Sequence, residues 1–290
     1  MRGVAPLMLG EVGDRARAPA LAIDGVTKRF ATGDGVVAAL ERVSFAVAKG
    51  EFVALIGPSG CGKSTLFNII GGLIGDYGGQ VLVEGQAIHG SHHEIGMVFQ
   101  EESTFPWRTT LDNIAFPLEV AGVDKRARHA RARELVNLVG LEGFEARYPF
   151  ELSGGMRQRT ALARTLAFEP KILLMDEPFA ALDEQTRLLL GDKLLQIQQA
   201  LQQTTLLITH NIAEAVQLAD HVVVMTFRPG RVKRIFDIDL PRPRDSAIVG
   251  SPAFGQYVAQ IWNDLREEAS KGLSDSEASL ARRKDNNEGG

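Results

Sequence analysis

Nine consecutive residues, Gly57-Pro58-Ser59-Gly60-Cys61-Gly62-Lys63-Ser64-Thr65, contain the pattern G-x-x-x-x-G-K-[ST] over Gly57–Ser64. Each residue type in it has a use near phosphate. The glycines let successive backbone N–H groups turn toward anionic oxygens. A helix opening at Lys63 adds the partial positive charge of its N-terminus. The Lys63 ammonium can reach the β- and γ-phosphates of a nucleotide, and the Ser64 hydroxyl can ligate Mg²⁺. By itself the pattern says only that a nucleotide phosphate binds, since kinases, GTPases and many ATPases share it. Cys61 is expected to contribute a backbone N–H, a reactive thiol at a helix N-terminus being the alternative.

A second group of polar residues ends an apolar run. Ile172-Leu173-Leu174-Met175 leads straight into Asp176-Glu177. A buried strand would deliver Asp176 to the phosphates, where it can hold Mg²⁺ directly or through water. Glu177 would then orient or deprotonate an attacking water. Two solvated acids at a strand end would be the plainer reading without the glycine-rich loop. Leu152-Ser153-Gly154-Gly155-Met156 precedes Arg157-Gln158-Arg159. Ser153 and its glycines can cap that helix and leave its N–H groups free for an anion; taken alone, a simple cap explains them equally well. His210 would be read as a structural histidine if it stood alone, but it follows the predicted buried strand Thr205–Thr209, and that position raises the functional reading. His89, His92 and His93 cluster before another strand, but no Cys or acid completes a metal-ligand spacing, and an exposed loop is expected.

These residues need a scaffold of alternating elements. The pattern predicts strands near Leu21–Thr27, Val43–Val47, Glu51–Ile56, Gln80–Val83, Ile95–Gln100, Ile172–Met175, Thr205–Thr209 and Val222–Thr226. Helices are predicted over Lys63–Ile70, Asp183–Gln202 and Ile212–Ala219. Residues 109 to 166 read as helical, with Asp124 to Leu141 rich in Arg, Ala, Glu and Leu. Strands alternating with helices imply a largely parallel sheet with helices on its faces, and the helical block is an insertion into it. Residues 1–19 and the tail from about Glu268, poor in large apolar side chains, are expected to be disordered.

Composition narrows the class. The 290-residue chain is 44% hydrophobic, with 32 Lys+Arg against 36 Asp+Glu, which argues against a broad nucleic-acid footprint. One cysteine permits no internal disulfide and fits a reducing cytoplasm. No run approaches the eighteen or so apolar residues needed to cross a bilayer.

Taken together, the motifs resemble those of the ABC-transporter nucleotide-binding domain, over roughly Leu21 to Asp245. Leu152–Met156 resembles that family's signature loop, although glutamine is commoner than Met156. Phe30 resembles the aromatic that stacks on adenine, where tyrosine is commoner. Gln100 resembles the Q-loop glutamine, which touches Mg²⁺ or water; Asp183 resembles the D-loop aspartate; His210 resembles the switch histidine at the γ-phosphate. The resemblance implies an α/β fold: a P-loop NTPase core (residues 20–245) with a mostly parallel sheet, an antiparallel β edge and an inserted α-helical subdomain at about 101–166, followed by a C-terminal helix and disordered tail (246–290). It implies ATP and Mg²⁺ as ligands and Glu177, His210 and Gln100 as catalytic residues. Ser153, Gly154, Gly155 and Met156 would close on ATP held by Phe30 and Gly57–Thr65 of a second subunit, in a homodimer or with a similar chain.

The segment Phe105–Ile114, the stretch Leu152–Arg159 and the Pro241-Arg242-Pro243-Arg244 turn resemble the nitrate/sulfonate/taurine-type bacterial importers. That implies a peripheral protein on the cytoplasmic face of the inner membrane, working with transmembrane permease subunits and, indirectly, a solute-binding protein. The docking surface is expected after Gln100. The alternatives are the ATPase of a lipid-trafficking ABC system and a soluble non-transport ABC ATPase. The latter usually carries either long coiled coils, for which there is no heptad pattern here, or two such domains in one chain.

Overall fold

The computed structural model describes residues 19–33, 35–101, 103–180 and 182–288, with side chains to residue 272. The expected disorder before residue 19 lies outside the described residues. Two long strands, β1 (Pro19–Thr32) and β2 (Gly35–Ala48), pair antiparallel as a hairpin. With β4 (Gly78–Val83) and β5 (Gln86–Ala87) they form a four-stranded sheet in the order β2-β1-β4-β5. Both hairpin strands run well past the predicted spans, because cross-strand pairing carries polar residues such as Arg29 and Thr32 into the ladder.

The second sheet holds the chemistry. It comprises β3 (Phe52–Ile56), β6 (Ile95–Val98), β7 (Ile172–Asp176), β8 (Thr204–Ile208), β9 (His221–Met225) and β10 (Val232–Asp237). Their order is β10-β9-β3-β8-β7-β6, parallel except for the antiparallel β9–β10 edge pair. Its inner strands β3, β7, β8 and β9 are largely apolar because both faces are covered, whereas the edge strand β10 carries Lys233, Arg234 and Asp237. Phe52, Ala54 and Ile56 enter one core, with Leu173, Met175, Val222 and Val224. The alternate residues Val53 and Leu55 enter the other, with Leu174, Ile208 and Val223.

The first core is roofed by helices and the second by α1 (Lys63–Ile70) and the antiparallel sheet. Each fully buried Leu, Ile or Phe contributes about 1.5–3 kcal/mol, so the two cores set the strand register firmly. The inserted block contains α2 (Thr110–Val120), α3 (Lys125–Leu138) and α4 (Gly154–Leu166). Thr109 and Asp124 cap α2 and α3 through their side chains. Asn113, fully buried, accepts from the Phe105 N–H at 2.7 Å and donates to the Phe105, Arg108 and Thr109 carbonyls, which pins the 105–109 turn to α2. Then follow α5 (Glu184–Leu201), α6 (Ile212–Leu218) and α7 (Pro252–Glu288).

Two features depart from expectation. β10 was not apparent in the sequence: Val232–Asp237 pattern weakly and pair only because β9 offers an edge. α7 continues to Glu288, where disorder was expected from Glu268. Glu268 is instead an anchor, 2% exposed and accepting from the Phe227 N–H, Lys233 and Lys271, and the Ala, Leu, Arg and Lys beyond it favour helix. The Pro241–Arg244 turn locks the end of β10 to α6. Arg244, 5% exposed, donates to the carbonyls of Ala219 and Ile238 at 2.5 and 2.6 Å, and burial pushes its pKa down to about 10. No helix among the described residues is long and apolar enough to cross a membrane.

Candidate functional site

The parallel strands β3, β7 and β8 all point their C-terminal ends the same way. Register places Leu55 opposite Ile208, and Ile208 opposite Asp176. The loops that follow these strands carry the predicted residues, at the edge of an open α/β sheet where ligands bind.

Gly57–Gly62 turns from β3 into α1. Gly60 and Gly62 have φ of +74° and +100°, a region that side chains disfavour. A Cβ on Gly62 would lie 2.7 Å from the Leu40 side chain and 2.9 Å from the Ala39 carbonyl, so the hairpin β1–β2 closes against the loop's back. Gly62 is the N-cap of α1 and brings no side-chain cap, which leaves the first-turn N–H groups of Lys63, Ser64 and Thr65 for an external acceptor. Lys63, 8% exposed, folds over the loop and donates to the carbonyls of Gly57 (2.8 Å) and Pro58 (3.1 Å). These carbonyls hold the ammonium where phosphate oxygens would replace them. Pro58 is half-buried and Ser59 exposed at the rim. Cys61 is buried, and burial pushes its thiol pKa up, which supports a packing and backbone part over reactivity.

Asp176 ends β7 beside this loop. Burial raises its carboxyl pKa, and the neighbouring Glu177 charge adds to that; a hydrogen bond from the Ser64 hydroxyl and the Lys63 charge oppose it. Two oxygen donors from separate elements thus meet at the loop's mouth, and the carboxylate is partly desolvated beside a second acid. That donor set suits a hard divalent cation such as Mg²⁺. Glu177 has φ +46°, which is uncommon for a non-glycine residue and is often found where a site is over-determined by its surroundings. Its N–H donates to Ile208 O at 2.8 Å, which fixes the turn to β8. Its carboxylate lies 3.0 Å from His210 Nδ1. The structure therefore joins two residues 33 positions apart through adjacent strands.

Beneath that pair lies a group that sequence reasoning missed. Glu214, on α6, is 6% exposed; burial raises its pKa, with the Thr209 hydroxyl and the charges of Arg187 and His210 opposing. The Thr209 hydroxyl binds it, and Thr209 also accepts from the Asn211 N–H at 3.0 Å. Asn211 in turn caps α6 by accepting from the Glu214 N–H. The turn carrying His210 is thus held from both sides. The available signal was an acid four residues past His210 on a short, mostly apolar helix.

The remaining predicted residues are spread around this centre. Gln100 is exposed just past β6, next to β7 in the sheet, and the adjoining Phe99 packs edge-on against Phe67 of α1 at 5.9 Å. Phe30 is on β1, half-exposed, with the Lys28 ammonium 5.0 Å from its ring. Lys28 itself is tied to the Asp76 carboxylate at 3.2 Å. Asp183 caps α5, accepting from Thr186 N–H and hydroxyl at 2.9 and 2.7 Å, and the Thr186 bonds lower its carboxyl pKa. Ser153 caps α4, its hydroxyl accepting from Met156 N–H at 3.4 Å. Gly154 starts that helix; Gly155 is buried, and a Cβ added there would meet Leu182, Leu190 and Thr186; Met156 packs on the helical core. The signature segment is therefore seated against the α5 region. Trp107, at the end of the 105–107 turn, is 71% exposed, while the Phe105 ring lies tilted against Trp107, edge-on to Phe116 and beneath the Arg164 guanidinium.

The chain resembles known proteins in sequence and in fold. A profile of the ABC transporter family matches residues 40–180. An uncharacterised ABC transporter ATP-binding protein of Methanocaldococcus jannaschii is 47% identical over 253 residues, covering 87% of this chain and 94% of its own length. The taurine import ATP-binding protein of Rhizobium johnstonii is 47% identical over 83% of this chain and 94% of its own. The aliphatic sulfonates import ATP-binding protein of Bacillus cereus is 44% identical over 77% of this chain and 88% of its own. Among solved structures, a dimeric post-hydrolysis state of an ATP-binding cassette bound to ADP and Pi superposes with a TM-score of 0.67 at 32% identity, covering 76% of this chain and all of that one.

Proposed function

Because this chain belongs to the ABC transporter family, we propose that it is the ATP-hydrolysing subunit of an importer for a small anion or organic solute, such as nitrate, a sulfonate or taurine. Its ATPase activity comes with the family; the roles of its residues rest on the geometry above. The observation that carries them is the convergence of Gly57–Thr65, Asp176–Glu177 and His210 on one end of three parallel strands.

Phosphate oxygens take the N–H groups left uncapped at Gly62–Thr65, and Lys63 exchanges its loop carbonyls for them. Ser64 and Asp176 would hold Mg²⁺, with Gln100 reaching it from the end of β6; the ion would supply positive charge to the phosphates. Glu177 is the group positioned to orient and deprotonate water. His210, held at 3.0 Å, keeps that carboxylate turned toward the strand ends and offers its own ring to the γ-phosphate side. Phe30 presents a half-exposed ring for adenine, and Asp183 orders the start of α5 between the two chains.

One chain carries one phosphate loop and one signature segment, so a working pair of sites requires a second copy or a similar chain. The dimeric form of the solved relative supports that reading. The names of the taurine and sulfonate relatives support import. Separate permease subunits, with a solute-binding protein outside, complete the system, and the exposed Trp107 turn after Gln100 is the surface offered to them. In this reading the protein works at the cytoplasmic face of the membrane, bound to those permease subunits.

The test uses Glu177→Gln. The variant is expected to lose ATP turnover, keep ATP binding and accumulate as a dimer with ATP and Mg²⁺, read by phosphate release and light scattering. Loaded and used as bait on detergent-solubilised membranes, it should recover a polytopic permease. Normal turnover would remove Glu177 from the mechanism, and recovery of only soluble factors would remove the transporter partners.

A further inference from the structure

The phosphate loop has a support that none of its own motifs supplies. The β9–β10 connection, Thr226–Arg231, lies directly against it. Gly230 is the contact point: a Cβ there would sit 2.1 Å from the Cys61 carbonyl. The connection is tied down by its own bonds, Thr226 N–H to Arg231 O at 2.9 Å and Thr226 hydroxyl to Pro229 O at 2.9 Å, and by Gly230 N–H to Ala39 O and Glu41 N–H to Gly230 O, both 2.9 Å. From this platform Arg228 reaches across, and its Nε donates to the Gly60 carbonyl at 2.9 Å.

That carbonyl matters because of peptide geometry. The Gly60–Cys61 unit is planar, so its C=O and N–H point in opposite directions. Holding Gly60 O on the outer side turns the Cys61 N–H to the inner side, toward the phosphates. In the free loop this N–H makes only a long bond, 3.3 Å, to Pro58 O, so an anion can claim it. Gly60 sits at φ +74°, where glycine crosses easily between conformations. Without an outside hold, the peptide can flip and offer phosphate an oxygen in place of an N–H.

The platform is itself fastened to the C-terminal helix. The Phe227 N–H donates to the Glu268 carboxylate at 2.9 Å, and Glu268, 2% exposed on α7, is also bound by Lys271 at 2.7 Å and Lys233 at 3.1 Å. These bonds hold its pKa down against the opposing effect of burial. Gly272 of α7 lies against the Phe227 ring, where an added Cβ would come within 3.0 Å. A continuous chain of contacts thus runs from α7 through Phe227 and Arg228 to Gly60.

We propose that Arg228 is a positioning residue for nucleotide binding, which fixes the Gly60–Cys61 peptide with its N–H inward, and that Glu268 of α7 sets Arg228 in place. The idea rests on ATP phosphates occupying Gly57–Thr65. It makes the C-terminal helix a control point on ATP affinity.

Four full-length variants test it, with a fluorescent ADP analogue for affinity and steady-state hydrolysis for KM and kcat. Arg228→Ala is expected to weaken the analogue and raise KM for ATP by about five- to tenfold, as for one lost hydrogen bond from a charged donor at an exposed site. Its kcat and nucleotide-free Tm are expected to stay near wild type. Arg228→Lys should recover part of the affinity, and Glu268→Gln, which keeps an oxygen for Phe227 but loses its charge, should show a smaller rise in KM. Lys63→Ala reports on the phosphate site itself. Unchanged affinity in Arg228→Ala with weakened binding in Lys63→Ala overturns this inference alone; unchanged affinity in both overturns the phosphate-loop reading beneath it. A lower nucleotide-free Tm at unchanged KM makes Arg228 merely structural. Wild-type KM in Glu268→Gln breaks the link to α7.

Discussion

Asp176 shows how a single residue can be costly to the free protein and useful to the loaded one. Its carboxyl is partly buried, next to Glu177, and its pKa is raised chiefly by that burial. An acid with a raised folded pKa costs stability above that value, and the cost disappears as pH falls below the ordinary carboxylate range. Asp176→Asn should therefore stabilise the nucleotide-free protein at neutral pH by about 0.5–1 kcal/mol. The gain should shrink as pH falls through the raised value. The same variant should lose the extra thermal stabilisation that Mg²⁺ adds to ATP. Calorimetry across pH, with ATP alone and with Mg²⁺, reads both effects; a variant still stabilised by Mg²⁺ would take the metal role from Asp176. Glu177 tells a similar story in backbone terms: its φ of +46° is a costly conformation, and the bonds to Ile208 and His210 offset that cost.

At the scale of elements, the question is what keeps strands with so few residues in register. β3 and β9 are five residues each, and His221 is their shared rivet. It is bound by Glu51 just ahead of β3, and its Nε2 lies 2.9 Å from Asp237 at the end of β10. The Glu51 bond is the main reason its pKa is raised; the charges of Asp237 and Asp220 act the same way and burial opposes them. Asp220 is itself paired with Arg242. A histidine whose folded pKa is raised contributes stability that is fully present below its ordinary value of about 6.5 and is lost as pH rises through the folded value. The stability lead of wild type over His221→Gln should be largest in mildly acidic buffer and decline toward alkaline pH. Urea titrations at several pH values measure it, and a lead independent of pH would show that packing, not charge, supplies the contribution. The β9–β10 hairpin so anchored is the one that meets the phosphate loop at Gly230.

The whole molecule has a phosphate loop at the strand ends and a signature segment seated on α5, and the proposed site is shared between two copies. A mixing experiment separates that from a site built within one chain. Ser153→Arg places a bulky cation at the start of α4, at a cap whose hydrogen bond is already long at 3.4 Å. Its fold should survive at a cost of about 0.5–1 kcal/mol, and its ATP affinity as a single chain should be unchanged. Its turnover should fall by more than tenfold. Adding the Lys63→Ala chain, inactive by itself, should restore activity, because a mixed pair contains one intact loop facing one intact signature. Two inactive chains that stay inactive when mixed would count against shared sites.

Much of this protein was legible before any fold was known, and for a local reason. Gly57–Thr65, Asp176–Glu177 and Ser153–Gly155 are short runs whose backbone demands, turn, strand end and helix cap, are set by neighbours in sequence. The apolar runs at β3, β7 and β8 announced strands buried on both faces. What the tertiary structure decided depends on residues far apart in the chain. The order β10-β9-β3-β8-β7-β6 brings Glu177 to His210 and Asp176 to Ser64, and no periodicity encodes that order. Glu214 became part of the site only when α6 folded beneath the His210 turn. β10 needed the edge of β9 before it could be a strand at all. Arg228 and Glu268 sit in stretches with no motif, and Glu268 in one that reads as solvated tail. Burial and long-range hydrogen bonds give them meaning, because a charge becomes an anchor only where its partners and the exclusion of water are supplied by other parts of the chain.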